Sequence, residues 1–197
     1  GSELRIAELD GSSRTLVGGG SEPDTVSWGS AEFVAAEEMG RQRGYWWSPD
    51  GSVIATCRVD VAPVQVWHIS NPAAPGDAPR AIRYPAAGTP NADVSVHLCP
   101  IDGSPPTEVE WDRAAFPYLA QVRWTAHGLT LIVQSRDQRE IAVLEADPAT
   151  GGTTVVFGDT DDAWIDLVPG TGALVAPGTV VMCADRDGAR RLFVGHA

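Results

Sequence analysis

Two adjacent glutamates, Glu37 and Glu38, are the residues in this sequence best placed to bind a ligand. They lie in a segment with a helical pattern: Ser30 is a suitable N-cap, and Gly40 stands where a left-handed C-cap is expected. The pattern predicts a helix of about two turns whose last turn carries both glutamates beside unpaired backbone carbonyls. Two carboxylates that converge with carbonyl oxygens suit a small cation such as a primary ammonium.

An ordinary solvated helix end is the alternative interpretation of the same residues. Exposed pairs of glutamates are common, and Arg41 and Arg43 follow closely enough to act as counter-charges. The residue types alone leave both interpretations open.

No other group of residues has the spacing of a catalytic or metal centre. The histidines share no metal-ligand spacing and are expected in strands or turns, and no Gly-x-Ser-x-Gly motif occurs. We therefore predict no catalytic residue, no metal and no cofactor. The tryptophans each adjoin a predicted strand or turn and are expected to anchor the core: Trp28, Trp46, Trp47, Trp67, Trp111, Trp124 and Trp164.

Composition excludes several classes of function. The 197 residues include no lysine, which removes Schiff-base chemistry and the phosphate-loop lysine. A net charge of -12 argues against nucleic acid and anionic membranes as partners, and no apolar run approaches the length of a membrane span.

The three cysteines are scattered along the sequence and are expected to be core residues of a cytoplasmic protein: Cys57, Cys99 and Cys183. Gly1 and Ser2 are expected to be a tag remnant.

The rest of the sequence has an all-β pattern. Asp-Gly pairs and other turn signals separate short segments rich in Val, Ile, Leu and Thr, which predict strands at Leu4 to Leu9, Val53 to Ala55, Leu129 to Val133, Ile141 to Leu144, Thr153 to Phe157, Val180 to Met182 and Leu192 to Val194. Similar segments precede three of these strands, at 46–51, 122–128 and 168–170, as at the starts of propeller blades. We predict a partial β-propeller of about four blades with one short projecting helix and a long insertion in a middle blade. A sandwich with irregular spacing is the alternative.

Two motifs carry a family resemblance. The stretch from Ala31 to Met39, followed by Gly44 to Gly51, closely resembles the substrate-recognition segment of bacterial dipeptidyl peptidase IV enzymes, which belong to the prolyl oligopeptidase group. The likeness continues through Arg58 to Val64 and Arg83 to Asn91, and it weakens towards the carboxyl end. Residues 3–197 are thus expected to be a fragment of the propeller domain of such a peptidase.

The resemblance implies a function for the glutamates. In that family an eight-bladed propeller covers an α/β-hydrolase domain with a Ser, Asp and His triad. A glutamate pair on a short helix projects into the central cavity and binds the free α-ammonium of the substrate. The pair falls on Glu37 and Glu38 here, and no arginine of this chain can be assigned to the family's carbonyl-binding position. The expected function is substrate recognition and gating in a serine exopeptidase that releases Xaa-Pro or Xaa-Ala dipeptides.

The partners implied by this resemblance are peptides with a free amino terminus and the hydrolase domain of the same protein. The chain alone should be inactive, and its open blade edges suggest that it self-associates. Two alternatives remain open: a free-standing propeller that binds peptide or protein, and a homologue whose hydrolase domain has lost its serine.

Overall fold

The strands of this protein form five antiparallel sheets in the computed structural model. The structure describes residues 2–196. Gly1, which belongs to the predicted tag remnant, and Ala197, the last residue of the predicted propeller fragment, lie outside the described residues. The elements in chain order are β1 (Glu3–Ala7), β2 (Ser13–Gly18), β3 (Val26–Trp28), α1 (Phe33–Glu38), β4 (Tyr45–Trp47), β5 (Val53–Asp60), β6 (Val66–Ile69), β7 (Arg80–Arg83), β8 (Asp93–Pro100), β9 (Thr107–Val109), β10 (Tyr118–Thr125), β11 (Gly128–Gln134), β12 (Glu140–Ala146), β13 (Thr153–Thr160), β14 (Ala173–Ala176), β15 (Thr179–Arg186) and β16 (Ala189–His196).

Four of the sheets follow one another along the chain as propeller blades do. They are β1-β2, then β3/β4-β5-β8-β9, then β10-β11-β12-β13, and finally β14-β15-β16. The two middle sheets have all four strand positions of a blade, whereas the first has two strands and the last has three. The remaining hairpin, β6-β7, is the predicted insertion and lies between two strands of the second sheet.

Apolar faces between successive sheets form the core. One cluster of buried residues joins the second sheet to the third and includes Val59, Leu98 and Leu131. A second cluster joins the opposite face of the third sheet to the fourth and includes Ile132, Val156 and Val180. A sandwich has one buried interface between two sheets, whereas the third sheet here is covered on both faces. The architecture is therefore that of a partial β-propeller.

The first strand position of the second sheet is divided between two short strands. Strand β3 pairs with the Arg58 end of β5, and β4 pairs with the Thr56 end of the same strand. Between them the Gly29 N–H donates to the Cys57 carbonyl at 3.0 Å, and the Cys57 N–H donates to the Gly44 carbonyl at 2.7 Å. Helix α1 is thus an insertion into a strand whose two halves stay in register on β5.

Most of the local predictions are confirmed. The predicted strands lie within observed ones, and the glycines of all four Asp-Gly pairs have positive φ: Gly11, Gly51, Gly103 and Gly188. Leu9 is an exception, because it is fully exposed in the turn after β1. The segments 46–51 and 122–128 both lie at the turn into the second strand of a blade, while 168–170 precedes the first strand of the last sheet.

The predictions for tryptophan and cysteine hold in part. Trp28 and Trp46 are buried core residues, and so are Cys57 and Cys99. Cys183 is only partly buried. Core positions were wrong for the three tryptophans that are about half exposed or more: Trp47, Trp67 and Trp164. Trp47 lies on the short edge strand β4, Trp67 lies in the β6-β7 hairpin, and Trp164 lies in the connection between β13 and β14.

A tight backbone contact at the base of the helix insertion generates a testable prediction. A Cβ atom on Gly44 would lie 2.4 Å from the Ser30 carbonyl oxygen, whereas one on Gly76 would meet nothing within 4 Å. Since neither glycine has positive φ, Gly44→Ala tests the contact alone and should lower the free energy of unfolding by about 2 kcal/mol. Gly76→Ala is the matched control and should change it by less than about 0.5 kcal/mol in urea denaturation. Equal stabilities of the two variants would contradict the contact.

Candidate functional site

The candidate site is built on helix α1, whose boundaries differ from the prediction. The helix has six residues, and its N-cap is Glu32 rather than Ser30. The Glu32 carboxylate accepts a hydrogen bond from the Ala35 N–H at 3.2 Å. Ser30 instead forms an isolated bridge with Arg43, which closes the base of the insertion. Gly40 has φ of 66°, as a left-handed residue after the C-cap Met39 should.

A buried ion pair holds the two ends of this segment together. The Arg41 guanidinium lies 2.8 Å from the Glu32 carboxylate, and each side chain is only 6% exposed. The Arg41 Nε also donates to the Leu119 carbonyl of β10 at 3.1 Å, and its Nη1 donates to the Arg43 carbonyl at 3.3 Å. Because these bonds satisfy both charged groups, the pair fixes the helix to its own sheet and to the next sheet.

Neutral contacts support the helix on other sides. The Phe33 ring meets the Tyr84 ring edge-on, with centroids 5.3 Å apart, so the helix touches the chain just after the β6-β7 hairpin. Met39 packs against the second core cluster. The Gln42 side-chain amide donates to the Ala36 carbonyl at 2.8 Å, which satisfies one carbonyl of the helix. The helix is short but its orientation is determined by contacts in three directions.

Glu37 and Glu38 are exposed on this fixed helix. Within residues 2–196 neither carboxylate has an ion-pair partner within 4 Å, and the last turn of the helix contains no basic residue. Arg41, one of the two counter-charges in the alternative interpretation of a solvated helix end, pairs with Glu32 instead. The two carboxylates therefore remain available to an external cation.

A cavity of about 370 Å³ opens beside Glu38. Its lining includes Gly40, the buried amide of Gln134 and the exposed ring of Trp164. A carboxylate, amide groups and an aromatic face suit an organic cation with an apolar part, and the volume is within the range of small-ligand sites.

Other candidate groups do not form a reactive centre in the part of the chain that the structure describes. No three His, Cys, Asp or Glu side chains are grouped as metal ligands among residues 2–196, and the histidines lie in strands or a turn as expected. Burial lowers the pKa of His97 and raises the pKa of the Cys57 thiol to about 11, so neither is charged at neutral pH. No helix in that part is long and apolar enough to cross a membrane.

The sequence did not reveal the role of Glu32, and the alternative interpretation of a solvated helix end gave Arg41 the wrong partner. A glutamate three residues before Ala35 is a weak N-cap signal, which the stronger residue type at Ser30 obscured. The Arg41 contact with Leu119 joins residues 78 positions apart and leaves no local pattern. Only the packing of two blades identifies this arginine as a structural residue.

The Glu32–Arg41 pair gives a second testable prediction. Glu32→Gln or Arg41→Met leaves one charge buried without its partner and should lower the free energy of unfolding by about 3 to 5 kcal/mol. The double variant removes both charges and should lose clearly less than the sum of the two single losses, as a double-mutant cycle in urea will measure.

The exposed pair of Glu108 and Arg113, with side chains 46% and 39% exposed, provides the control for this cycle. Glu108→Gln should cost less than about 1 kcal/mol because solvent screens that pair. Single losses at Glu32 and Arg41 as small as this would show that the buried pair does not hold the helix.

Comparison with known proteins matches this chain to dipeptidyl peptidases. The family model described as the dipeptidyl peptidase IV (DPP IV) N-terminal region matches residues 2–196. Among curated relatives, a probable dipeptidyl-aminopeptidase B of Pyrenophora tritici-repentis is 26% identical over 174 residues, covering 76% of this chain and 19% of that protein. Human dipeptidyl peptidase 8 is 23% identical over 192 residues, covering 74% of this chain and 21% of that protein.

Solved structures share the fold. The structure of Porphyromonas gingivalis dipeptidyl peptidase 4 superposes with a TM-score of 0.81 at 18% identity, covering 98% of this chain and 28% of that one. A putative dipeptidyl aminopeptidase IV from Bacteroides ovatus gives a TM-score of 0.73 at 21% identity, covering 93% of this chain and 26% of that one. The chain thus spans about a fifth of the length of the curated relatives it matches. With the family model matched across residues 2–196, this chain belongs to the dipeptidyl peptidase IV N-terminal region family.

Proposed function

We propose that this chain is the substrate-recognition and gating part of a serine exopeptidase that removes dipeptides of the Xaa-Pro or Xaa-Ala type. The observation that carries the proposal is the pair of exposed carboxylates of Glu37 and Glu38, which have no ion-pair partner within residues 2–196 and lie on a helix fixed by a buried ion pair. Family membership supports it, since the relatives named above are dipeptidyl peptidases and aminopeptidases.

The proposed ligand of the pair is the α-ammonium of a peptide. Its pKa of about 7.7 to 8.0 keeps this group largely charged at neutral pH. A fixed helix binds it at a defined distance from a nucleophile, so only a peptide bond two residues away reaches the reacting position. An acetylated peptide lacks the charge and leaves the carboxylates without a counter-ion, which accounts for exopeptidase specificity.

The nucleophile in this proposal belongs to an α/β-hydrolase domain of the same protein. No residue of the 197 is assigned to that role, and no cofactor or metal is required. A free-standing binding module is the alternative proposal. The two differ in whether the complete protein hydrolyses a dipeptide amide.

The glutamate pair gives a third prediction, for the complete protein with its hydrolase domain. Glu37→Gln or Glu38→Gln should lower kcat/KM for Ala-Pro-p-nitroanilide about 30-fold, mainly through KM, because one of two charge-assisted contacts to the ammonium is lost. The wild-type KM should also rise above about pH 8, where the substrate amine loses its proton.

Glu8→Gln, at an exposed glutamate outside α1, is the matched control and should leave kcat/KM unchanged. The isolated 197-residue chain should give no turnover. Values for both α1 variants within about threefold of wild type would make Glu37 and Glu38 ordinary surface residues.

We also propose that the isolated chain associates with a second copy. The last sheet has three strands and exposes Val175, Leu192 and Val194, which are 51%, 74% and 59% exposed. Unpaired edges and apolar faces of this kind pair readily with another chain. A two-fold dimer in which the last sheet of each copy packs on the first sheet of the other covers both ends in a ring of about eight blades.

The fourth prediction concerns this dimer. Sedimentation at micromolar concentration should detect it, and added salt should strengthen it because each copy carries a net charge of -12. Leu192→Asp with Val194→Asp should give monomers. Ile69→Asp, at an exposed position on the β6-β7 hairpin, should not. The arrangement would be contradicted if Ile69→Asp dissociated the dimer and the Leu192 and Val194 variant did not. It would also be contradicted if the wild-type chain were a monomer whose terminal strands are protected from hydrogen exchange.

A further inference from the structure

A second cavity, of about 320 Å³, lies against the turn that follows helix α1. It is bounded by the segment 39–43, by β4 and β10, and by residues 167 and 169 before β14. Its apolar lining includes Trp46, Val122 and Leu167. Met39 and Gly40 line both this cavity and the one beside Glu38, so the two spaces adjoin.

The charge of this cavity is opposite to that of the whole chain. The sequence has 26 acidic and 14 basic residues, yet the lining that residues 2–196 provide contains Arg41, Arg43 and Arg123 and no aspartate or glutamate. Glu32 pairs with Arg41, so the positive potential at this cavity comes from Arg43 and Arg123.

Arg41 is not available to a ligand, because Glu32 neutralises its charge and the backbone carbonyls of Leu119 and Arg43 accept hydrogen bonds from its Nε and Nη1. Arg43 and Arg123 differ from Arg41 in having no charged partner among the described residues. Neither has a carboxylate within 4 Å in residues 2–196.

Arg123 is held in place by neutral acceptors. Its Nε donates to the Thr171 carbonyl at 2.9 Å, and its Nη2 donates to the Gln121 side-chain oxygen at 3.3 Å. A guanidinium has five N–H groups, so several remain unused on a side chain whose position is already fixed. Arg43 is exposed, and its guanidinium lies 6.0 Å from the centre of the Tyr45 ring.

We propose that this cavity binds a carboxylate through Arg43 and Arg123, with the apolar part of the ligand against Trp46 and Leu167. Planar guanidinium groups match the two oxygens of a carboxylate, and charge-assisted hydrogen bonds of this type are the strong ones. An acidic side chain of a peptide and a peptide's terminal carboxylate share this chemistry. The site does not depend on the proposed role of Glu37 and Glu38.

The test is a titration of the isotope-labelled 197-residue chain, followed by NMR. Phenylacetate carries a carboxylate and an apolar ring, whereas phenylacetamide is its neutral counterpart. Phenylacetate should shift the Trp46 and Arg123 side-chain N–H signals and bind at least about fivefold more tightly than phenylacetamide. Raising the salt from 20 to 200 mM should weaken it.

Variants assign the site. Arg43→Gln and Arg123→Gln should each weaken phenylacetate binding about fivefold or more. Arg139→Gln, at an exposed arginine outside this cavity, removes the same charge and should leave the affinity unchanged. Since Arg43 is exposed and has no side-chain hydrogen bond within residues 2–196, its variant reports on the ligand even if Arg123→Gln disturbs the fold.

The source of the carboxylate is resolved by three peptides. Tighter binding of acetyl-Ala-Glu-amide than of acetyl-Ala-Gln-amide assigns an acidic side chain, and binding of acetyl-Ala-Ala through its terminal carboxylate assigns the chain end. All three peptides lack an ammonium, so Glu37→Gln should not weaken binding. Equal affinities for phenylacetate and phenylacetamide, or Arg43 and Arg123 variants that match Arg139→Gln, would overturn the proposal.

Discussion

The buried ion pair between Glu32 and Arg41 is the interaction on which the candidate site depends. Helix α1 has six residues, too few to be stable by its own hydrogen bonds. The pair joins the residue before the helix to one that follows it, and Arg41 also reaches the Leu119 carbonyl on the next blade. Both charges are removed from water, so they are stabilising only in this one arrangement, which makes the helix position specific.

The location of the helix follows from the way its sheet is built. A single strand position is divided between β3 and β4, and both halves stay paired with β5. An insertion at this point leaves the blade intact. The first strands of the three successive blades also lie side by side, because β10 contacts both β4 and β14. The inserted segment therefore emerges next to the neighbouring blade, where Met39 and Arg41 find their contacts. A rigid scaffold and a short polar insertion are a common way to hold ligand-binding groups.

Charge is distributed unevenly around this insertion. Within residues 2–196 the exposed carboxylates of Glu37 and Glu38 have no ion-pair partner, and neither do Arg43 and Arg123, which line the second cavity. Arg41, the basic residue closest in sequence to Glu37 and Glu38, is not their counter-charge because Glu32 neutralises it in the core. The same buried pair thus orients the helix and leaves the outer charges available for a ligand.

The sequence by itself determined the strands, the Asp-Gly turns and the short helix with its glutamates, because hydrophobic period and turn residues act over a few positions. It did not determine the N-cap at Glu32, the partner of Arg41 or the exposure of Trp47, Trp67 and Trp164. These features depend on contacts between residues far apart in the chain or on which faces a neighbouring sheet covers. Only the tertiary structure decided them, since burial and charge pairing are properties of packed blades and not of segments.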